Sequence, residues 1–343
     1  MPFPRTRRAI LAAAFAVAAL PAAAEDTAVR AFLRRTIGLT DAQLADVEAG
    51  RVVTRQLPGA DKPEMAAFGA VRVAAKKDVY LERLRDVARF RNGPSTIQIG
   101  RFHTPPVLSD LDGLTLEDGD FDAARKCKVG DCDLKLARSA VERIQKEMDW
   151  KAPDARARAT GLMKQMLVEY VVAYQRGGAA EMATYVDDAS PLDTTAEFRK
   201  VLGASPYLVE YAPALKRYLE EYPKGQLAGA EDVFYWTKDK FGPKPTIAIF
   251  HLTIWRDAAD AARAAVASKQ IYASHYFQAG LDLTALVDAP TPPGGFYLVD
   301  LYRARIDPPT GMLSGVLLGK IRGGIEQGVA EGLRTAKQRT EAQ

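Results

Sequence analysis

Cysteine and histidine are scarce in this sequence of 343 residues: two of the first and three of the second. A structural zinc site takes four ligands of those kinds, so no metal site is expected. Beyond the N-terminus no run of 18 apolar residues is free of charge, and no later segment reads as a membrane span. No G-x-S-x-G, H-E-x-x-H, phosphate-binding P-loop or G-x-G-x-x-G stands in a supporting context. That counts against the commonest hydrolases, zinc proteases and nucleotide-binding enzymes, and no cofactor is expected. Net charge is small as well: 47 Lys and Arg against 43 Asp and Glu leave +4. Without a dense basic block interleaved with aromatics, nucleic acid is not an expected partner.

What is present begins with Arg5-Thr-Arg7-Arg8, an uncharged stretch from Ala9 to Leu20, then Pro21-Ala-Ala-Ala24 and the acidic pair Glu25-Asp26. A basic start, a short apolar core and small residues at Ala22 and Ala24 make a secretory signal, with cleavage expected near Ala24. The 12 apolar residues fall short of a bilayer span, which needs roughly 20. Thr6-Arg7-Arg8-Ala-Ile-Leu11 also resembles a twin-arginine signal, so passage as an unfolded or a folded chain both stand open. Cleavage removes three arginines and takes the formal charge from +4 to +1. The mature chain is expected to be soluble and periplasmic or secreted.

In an oxidising compartment the close pair Cys127 and Cys132, in Lys126-Cys-Lys-Val-Gly-Asp-Cys-Asp133, reads as a disulfide. Gly130-Asp131 supplies the turn. Redox pairs favour C-x-x-C, and this spacing is C-x-x-x-x-C.

Hydrophobic patterning divides the mature chain into three parts: 25–106, 107–225 and 226–343. The first opens with short helices and continues with strands at 50–58, 65–75 and 95–102 and a helix over 78–90 between the last two. In the second, 104–125 is read as a solvated acidic loop. Asp118-x-Asp120-x-Asp122 begins like an EF-hand loop, but Ala123 and Val129 replace the glycine and glutamate that such a loop needs. From 134 to 219 apolar residues recur at three and four, and Tyr207, Tyr211, Tyr218 and Tyr222 cluster. The third part predicts strands at 232–236, 246–256, 269–287 (one long strand bent near Gly280) and 295–306, then a helix to the C-terminus. Strands, helices, more strands and a long final helix predict an α+β fold with a helical insertion.

That final helix carries Gly315, Gly319, Gly323, Gly324, Gly328 and Gly332. At roughly 0.8–1 kcal/mol each relative to alanine, they cost about 5–6 kcal/mol. Close packing of the helix backbone on a sheet or helix is the expected compensation, either as plain core or as a lid over a pocket. His251 and His275 each fall on an apolar strand phase and are expected to point inward, as core residues or as acid–base groups. Arg303 and Arg305, two apart on one strand, are expected to clamp a carboxylate or phosphate, or to pair with Asp300, Asp307 or acids elsewhere.

Phe234-Tyr-Trp236, Tyr272-Ala-Ser-His-Tyr-Phe277, Tyr302-Arg-Ala-Arg-Ile-Asp307 and the long final helix together resemble the end of a START-like, helix-grip domain. The resemblance implies a curved antiparallel sheet around that helix, with a hydrophobic ligand between them. Segment 107–225 departs from that plan and would fill or cover the cavity.

The leading expectation is an exported binding or carrier protein for an apolar or amphipathic, lipid-like ligand, with transient contact at a membrane surface. Its candidate contacts are His251, His275, Tyr276, Tyr302, Arg303 and Arg305. Two alternatives stand beside it: an enzyme using His251 or His275 with Arg303 or Arg305, and an interaction module presenting the tyrosine-rich helices.

Overall fold

The computed structural model describes residues 28–258, 261, 263–289 and 294–342, apart from the side chains of Ala28, Pro206 and Val209. The export signal and its cleavage site lie outside the described residues. The strands are β1 (Val53–Leu57), β2 (Glu64–Val73), β3 (Thr96–Arg101), β4 (Thr184–Tyr185), β5 (Leu192–Asp193), β6 (Ala230–Asp239), β7 (Thr246–Arg256), β8 (Arg263–Ala273), β9 (Phe277–Ala289) and β10 (Gly295–Ile306). The α-helices are α1 (Ala28–Arg35), α2 (Asp41–Glu48), α3 (Lys77–Leu84), α4 (Val87–Phe90), α5 (Asp118–Lys126), α6 (Arg138–Glu147), α7 (Ala155–Gly177), α8 (Thr194–Gly203), α9 (Pro206–Tyr211), α10 (Pro213–Glu221) and α11 (Ser314–Glu341).

Eight strands form one open sheet in the order β1-β2-β10-β9-β8-β7-β6-β3, and every pairing is antiparallel. The fold is α+β, with the long C-terminal helix packed on the sheet. Both sheet faces are covered, so the strands are apolar at both phases. On one face Met65, Val71, Leu286 and Leu298 meet α3, α4 and α11. On the other, Phe234, Ile249 and Leu281 meet the helices of 107–225, and Phe68 and Val299 meet α1 and α2.

The chain departs from its pattern at four places. Residues 269–287 are not one bent strand. β8 and β9 are a hairpin reversing at Ser274–Tyr276, where Tyr276 takes a positive φ of 61°. Hydrophobicity runs unbroken through this turn because its residues are buried, which hides it. The expected helix 78–90 breaks at Arg85-Asp86, where the Asp86 side chain caps α4 by accepting from the Arg89 amide. The acidic stretch is not all loop. Asp118 and Asp120 sit in the first turn of α5, where the helix dipole favours negative charge.

The glycine stripe is the fourth. All six α11 glycines are exposed, and a Cβ added at any of them meets nothing within 4 Å. The close approach is made from the sheet side. At Gly69 in the middle of β2, an added Cβ would collide with Leu333 and lie 2.7 Å from Val329 Cγ1. A strand glycine, not the helical ones, seats α11 on the sheet.

Cys127 and Cys132 are bonded to each other. Gly130 makes the turn between them at φ +85°. The loop is pinned by Gly130 N–H to Val186 O at 2.8 Å and Cys132 N–H to Asp187 O at 3.0 Å. Among the described residues no helix is long and apolar enough to cross a membrane.

Candidate functional site

Register fixes which side chains share a face. Phe234, His251, Lys269, Leu281, Arg303 and Ala66 stand opposite one another across β6, β7, β8, β9, β10 and β2. This row faces the helical segment. His251 is fully buried. Its Nε2 lies 2.8 Å from Asp232 Oδ1 and its Nδ1 3.2 Å from the Tyr174 hydroxyl. Burial pushes the imidazole below its ordinary pKa against the pull of Asp232. Burial also works against the charge of Asp232. Hydrogen bonds from His251, Tyr218 and Thr253 outweigh it and hold that carboxyl below the usual range. Both ring nitrogens of His251 are therefore satisfied inside the core.

Arg303 and Arg305 are also spoken for. Arg303 pairs with Glu64, and Arg305 bonds both oxygens of Asp61 at 2.7 and 2.8 Å and Glu197 of α8 at 2.5 Å. They tie β10 to β2, the preceding loop and α8, and present no free fork to an anion. Asp307 goes to Lys135 at 2.8 Å instead. His251 and Arg303 are three strand spacings apart, about 14 Å at the usual sheet interval. His275 lies in the β8–β9 turn, not on a strand face, 3.4 Å from Asp120 of α5. The two histidines and the arginines do not converge on one cleft. The tyrosines of 207–222 face inward as well: Tyr222 stacks on Tyr174, and Tyr207 meets Phe32 edge-on.

The opposite face, toward α11, gathers a polar group that pattern reading missed. Asp282 on β9 and Asp300 on β10 are diagonal neighbours, because Asp282 pairs with Tyr302 and Thr284 with Asp300. Arg91, just after α4, donates to Asp282 Oδ2 at 2.9 Å. Thr284 donates to Asp300 Oδ1 at 3.0 Å. Tyr235 OH and Ser268 Oγ share a hydrogen bond of 2.9 Å, and Tyr235 stacks on Phe250. Burial first, and the Asp282 charge second, push the Asp300 carboxyl well above its ordinary pKa. The two carboxyls also share a hydrogen bond, and Asp282 takes the guanidinium of Arg91 as well.

These groups sit on the middle strands of an eight-stranded sheet, yet water reaches them. The side chains of Asp282 and Arg91 are 22% and 21% exposed, and Asp300, Tyr302 and Phe250 are partly exposed too. The reason is the reach of the cover. α11 packs over β1, β2 and β10, while α3 and α4 lie on β9 and β3. Leu252, Val266 and Leu286 on the same face are fully buried, so the opening is local to Phe250, Asp282, Asp300 and Tyr302. Tyr276 and Phe241, with ring centroids 5.7 Å apart, and Phe277 stand at the far end of this face. Leu318, Ile321 and Ile325 of α11 add apolar surface alongside. The result is a partly exposed patch in which acidic and hydrogen-bonding groups stand among apolar side chains.

Of the expected contacts, Tyr276 and Tyr302 belong to this face, and His251, His275, Arg303 and Arg305 do not. Asp282 and Asp300 left one cue: each interrupts a strand that is apolar at both phases, Leu281-Asp-Leu283 and Val299-Asp-Leu301. The two best-formed hollows lie elsewhere, at about 20 Å³ under Phe121 and Met163 and about 10 Å³ beside Leu208 and Arg303. Each has room for a water at most.

No protein-family model matches the chain, and no curated protein matches it.

Proposed function

We propose that this protein is exported, is cleaved near Ala24, and binds an apolar or amphipathic, lipid-like ligand in the groove between α11 and the β6–β10 face. One observation carries the reading. Asp282, Asp300 and Tyr302 stay water-accessible in the middle of a sheet where Val266, Leu286 and Leu298 of the same face are buried. A cleft with apolar walls and a few convergent polar groups is what small-ligand sites share. The element order also resembles that of START-like, helix-grip domains, in which the ligand lies between sheet and last helix. Met312 and Leu313, just before α11, and Val316 and Leu317 on its first turn are exposed and support transient contact with a membrane surface.

The test is to purify the mature protein, expose it to lipid vesicles, re-isolate it, extract it with organic solvent and weigh the extract by mass spectrometry. An amphiphile recovered in about one copy per chain is expected. An extract no richer than that of an unrelated exported protein handled alongside overturns the reading.

A further inference from the structure

We infer that the first turns of α11 dock this protein on an anionic bilayer surface, with exposed apolar side chains in the interface and Lys320 and Arg322 against the headgroup phosphates. This builds on the membrane contact proposed above and stands apart from where a ligand would sit.

Large apolar side chains are seldom exposed among the described residues, and half of those that are fall in one short run at the start of α11. Met312 and Leu313 are 104% and 68% exposed, and Val316 and Leu317 are 60% and 43% exposed. Leu318, Ile325, Val329 and Leu333 hold the inner face of the same helix on the sheet. Val316, Lys320 and Gly324 follow one another at four-residue steps and share the outer face. Gly315, Gly319, Gly323 and Gly324 are exposed as well, and none carries a side chain that would hold the helix off a flat surface.

Charge says which surface. From Pro308 to Ile325 the chain carries Lys320 and Arg322 and no acid, and both cations are exposed. The acids on either side of the run are turned elsewhere. Asp307 pairs with Lys135 at 2.8 Å, and Glu326 accepts from the Thr54 hydroxyl of β1 at 3.1 Å. α11 has no acid in its first turn and no side-chain cap, so the positive end of its dipole is not offset there. Apolar residues and cations together on one exposed helix face are the pattern of interfacial helices on anionic lipid. A second copy of this chain fits less well, because the same face there offers Lys320 and Arg322 no acid either.

The experiment is flotation of the mature protein with vesicles of phosphatidylcholine alone and of phosphatidylcholine mixed with phosphatidylglycerol. Binding to the anionic vesicles is expected to be at least about tenfold tighter than to the neutral ones. Lys320→Gln and Arg322→Gln should each weaken the anionic binding about fivefold and leave the neutral binding unchanged. Val316→Asp and Leu317→Asp put acids where side chains already face water and the helix dipole favours them, so the melting temperature should not fall. Each should lower flotation at least about tenfold. Equal affinity for the two kinds of vesicle, or flotation indifferent to Val316→Asp, overturns the docking surface. Failure to float with either overturns it too, and a dimer that Val316→Asp disperses would then assign the face to a second copy. The ligand reading fails separately: a protein that floats yet yields no amphiphile loses the ligand, and one that yields amphiphile without floating loses the docking.

Discussion

Lys269 is 1% exposed, and no carboxylate lies within ion-pair distance of its ammonium among the described residues. It is held instead over two rings, 4.2 Å from the centroid of Phe198 and 5.2 Å from that of Tyr174. Burial pushes its pKa down to about 7, and Arg199 nearby adds to the shift. The sign of the consequence is fixed by linkage. An unfolded lysine titrates at about 10.4, so between that value and 7 the unfolded chain holds a proton that the folded chain declines. Stability rises with pH across this window. Below pH 7 both states are protonated and the full penalty is present. Lys269→Met, of similar length and apolar, should therefore raise stability by roughly 3–5 kcal/mol at pH 6 and about half that at pH 9. Urea midpoints of both proteins at the two pH values measure it. An equal gain at both pH values would mean that packing, not the charge, is what changed.

At the scale of elements, α11 carries glycine where it faces water and the sheet carries glycine where it faces α11. The two kinds should respond oppositely to alanine. Gly324→Ala and Gly328→Ala add a methyl into open space inside a helix, and each should stabilise by about 0.5–1 kcal/mol. Gly69→Ala pushes into Val329 and Leu333 and should cost about 1–3 kcal/mol. Thermal melts of the three variants decide between this arrangement and one in which the helix glycines are the contact surface. The 107–225 segment is fastened by buried groups rather than by its tyrosines alone. Lys238, fully buried on β6, pairs with Glu117, and Trp236 Nε1 donates to Asp110 O at 2.9 Å. Lys135 joins Asp187 and Asp307 at 3.1 and 2.8 Å.

For the whole molecule, two apolar layers and one sheet carry the stability, and the disulfide closes only a six-residue loop. Loop closure of that size contributes about 2 kcal/mol. The loop is also pinned by backbone hydrogen bonds to Val186 and Asp187. Reduction should therefore lower the melting temperature by only a few degrees, about 2–4 °C for a chain of this size. It should leave the far-ultraviolet circular dichroism unchanged. Collapse of the secondary structure on reduction would show that segment 107–225 depends on the bridge. The ligand site proposed between α11 and the sheet would be a property of coverage, since α11 spans the β1, β2 and β10 side of the sheet while α3 and α4 lie on β9 and β3.

The sequence alone determined the α+β class, the order of elements, the bonding of Cys127 to Cys132 and the inward phase of His251. These follow from local facts: period, spacing and the chemistry of near neighbours. Bounds came close for β7 and β10, where flanking breaks are sharp, and failed at Ser274–Tyr276, where a buried turn keeps the apolar pattern running. Tertiary structure alone decided what each inward polar residue meets. Glu64 and Asp61 come to Arg303 and Arg305 from about 240 residues away along the chain, and Asp110 reaches Trp236 across the sheet edge. It also decided that Asp282 and Asp300, unremarkable aspartates 18 residues apart in sequence, stand as neighbours on the face shared with α3, α4 and α11 and stay partly exposed there. Period tells which face a side chain takes. Whether that face is filled, paired or open to a ligand depends on elements that pack there from elsewhere in the chain, and that information is not local.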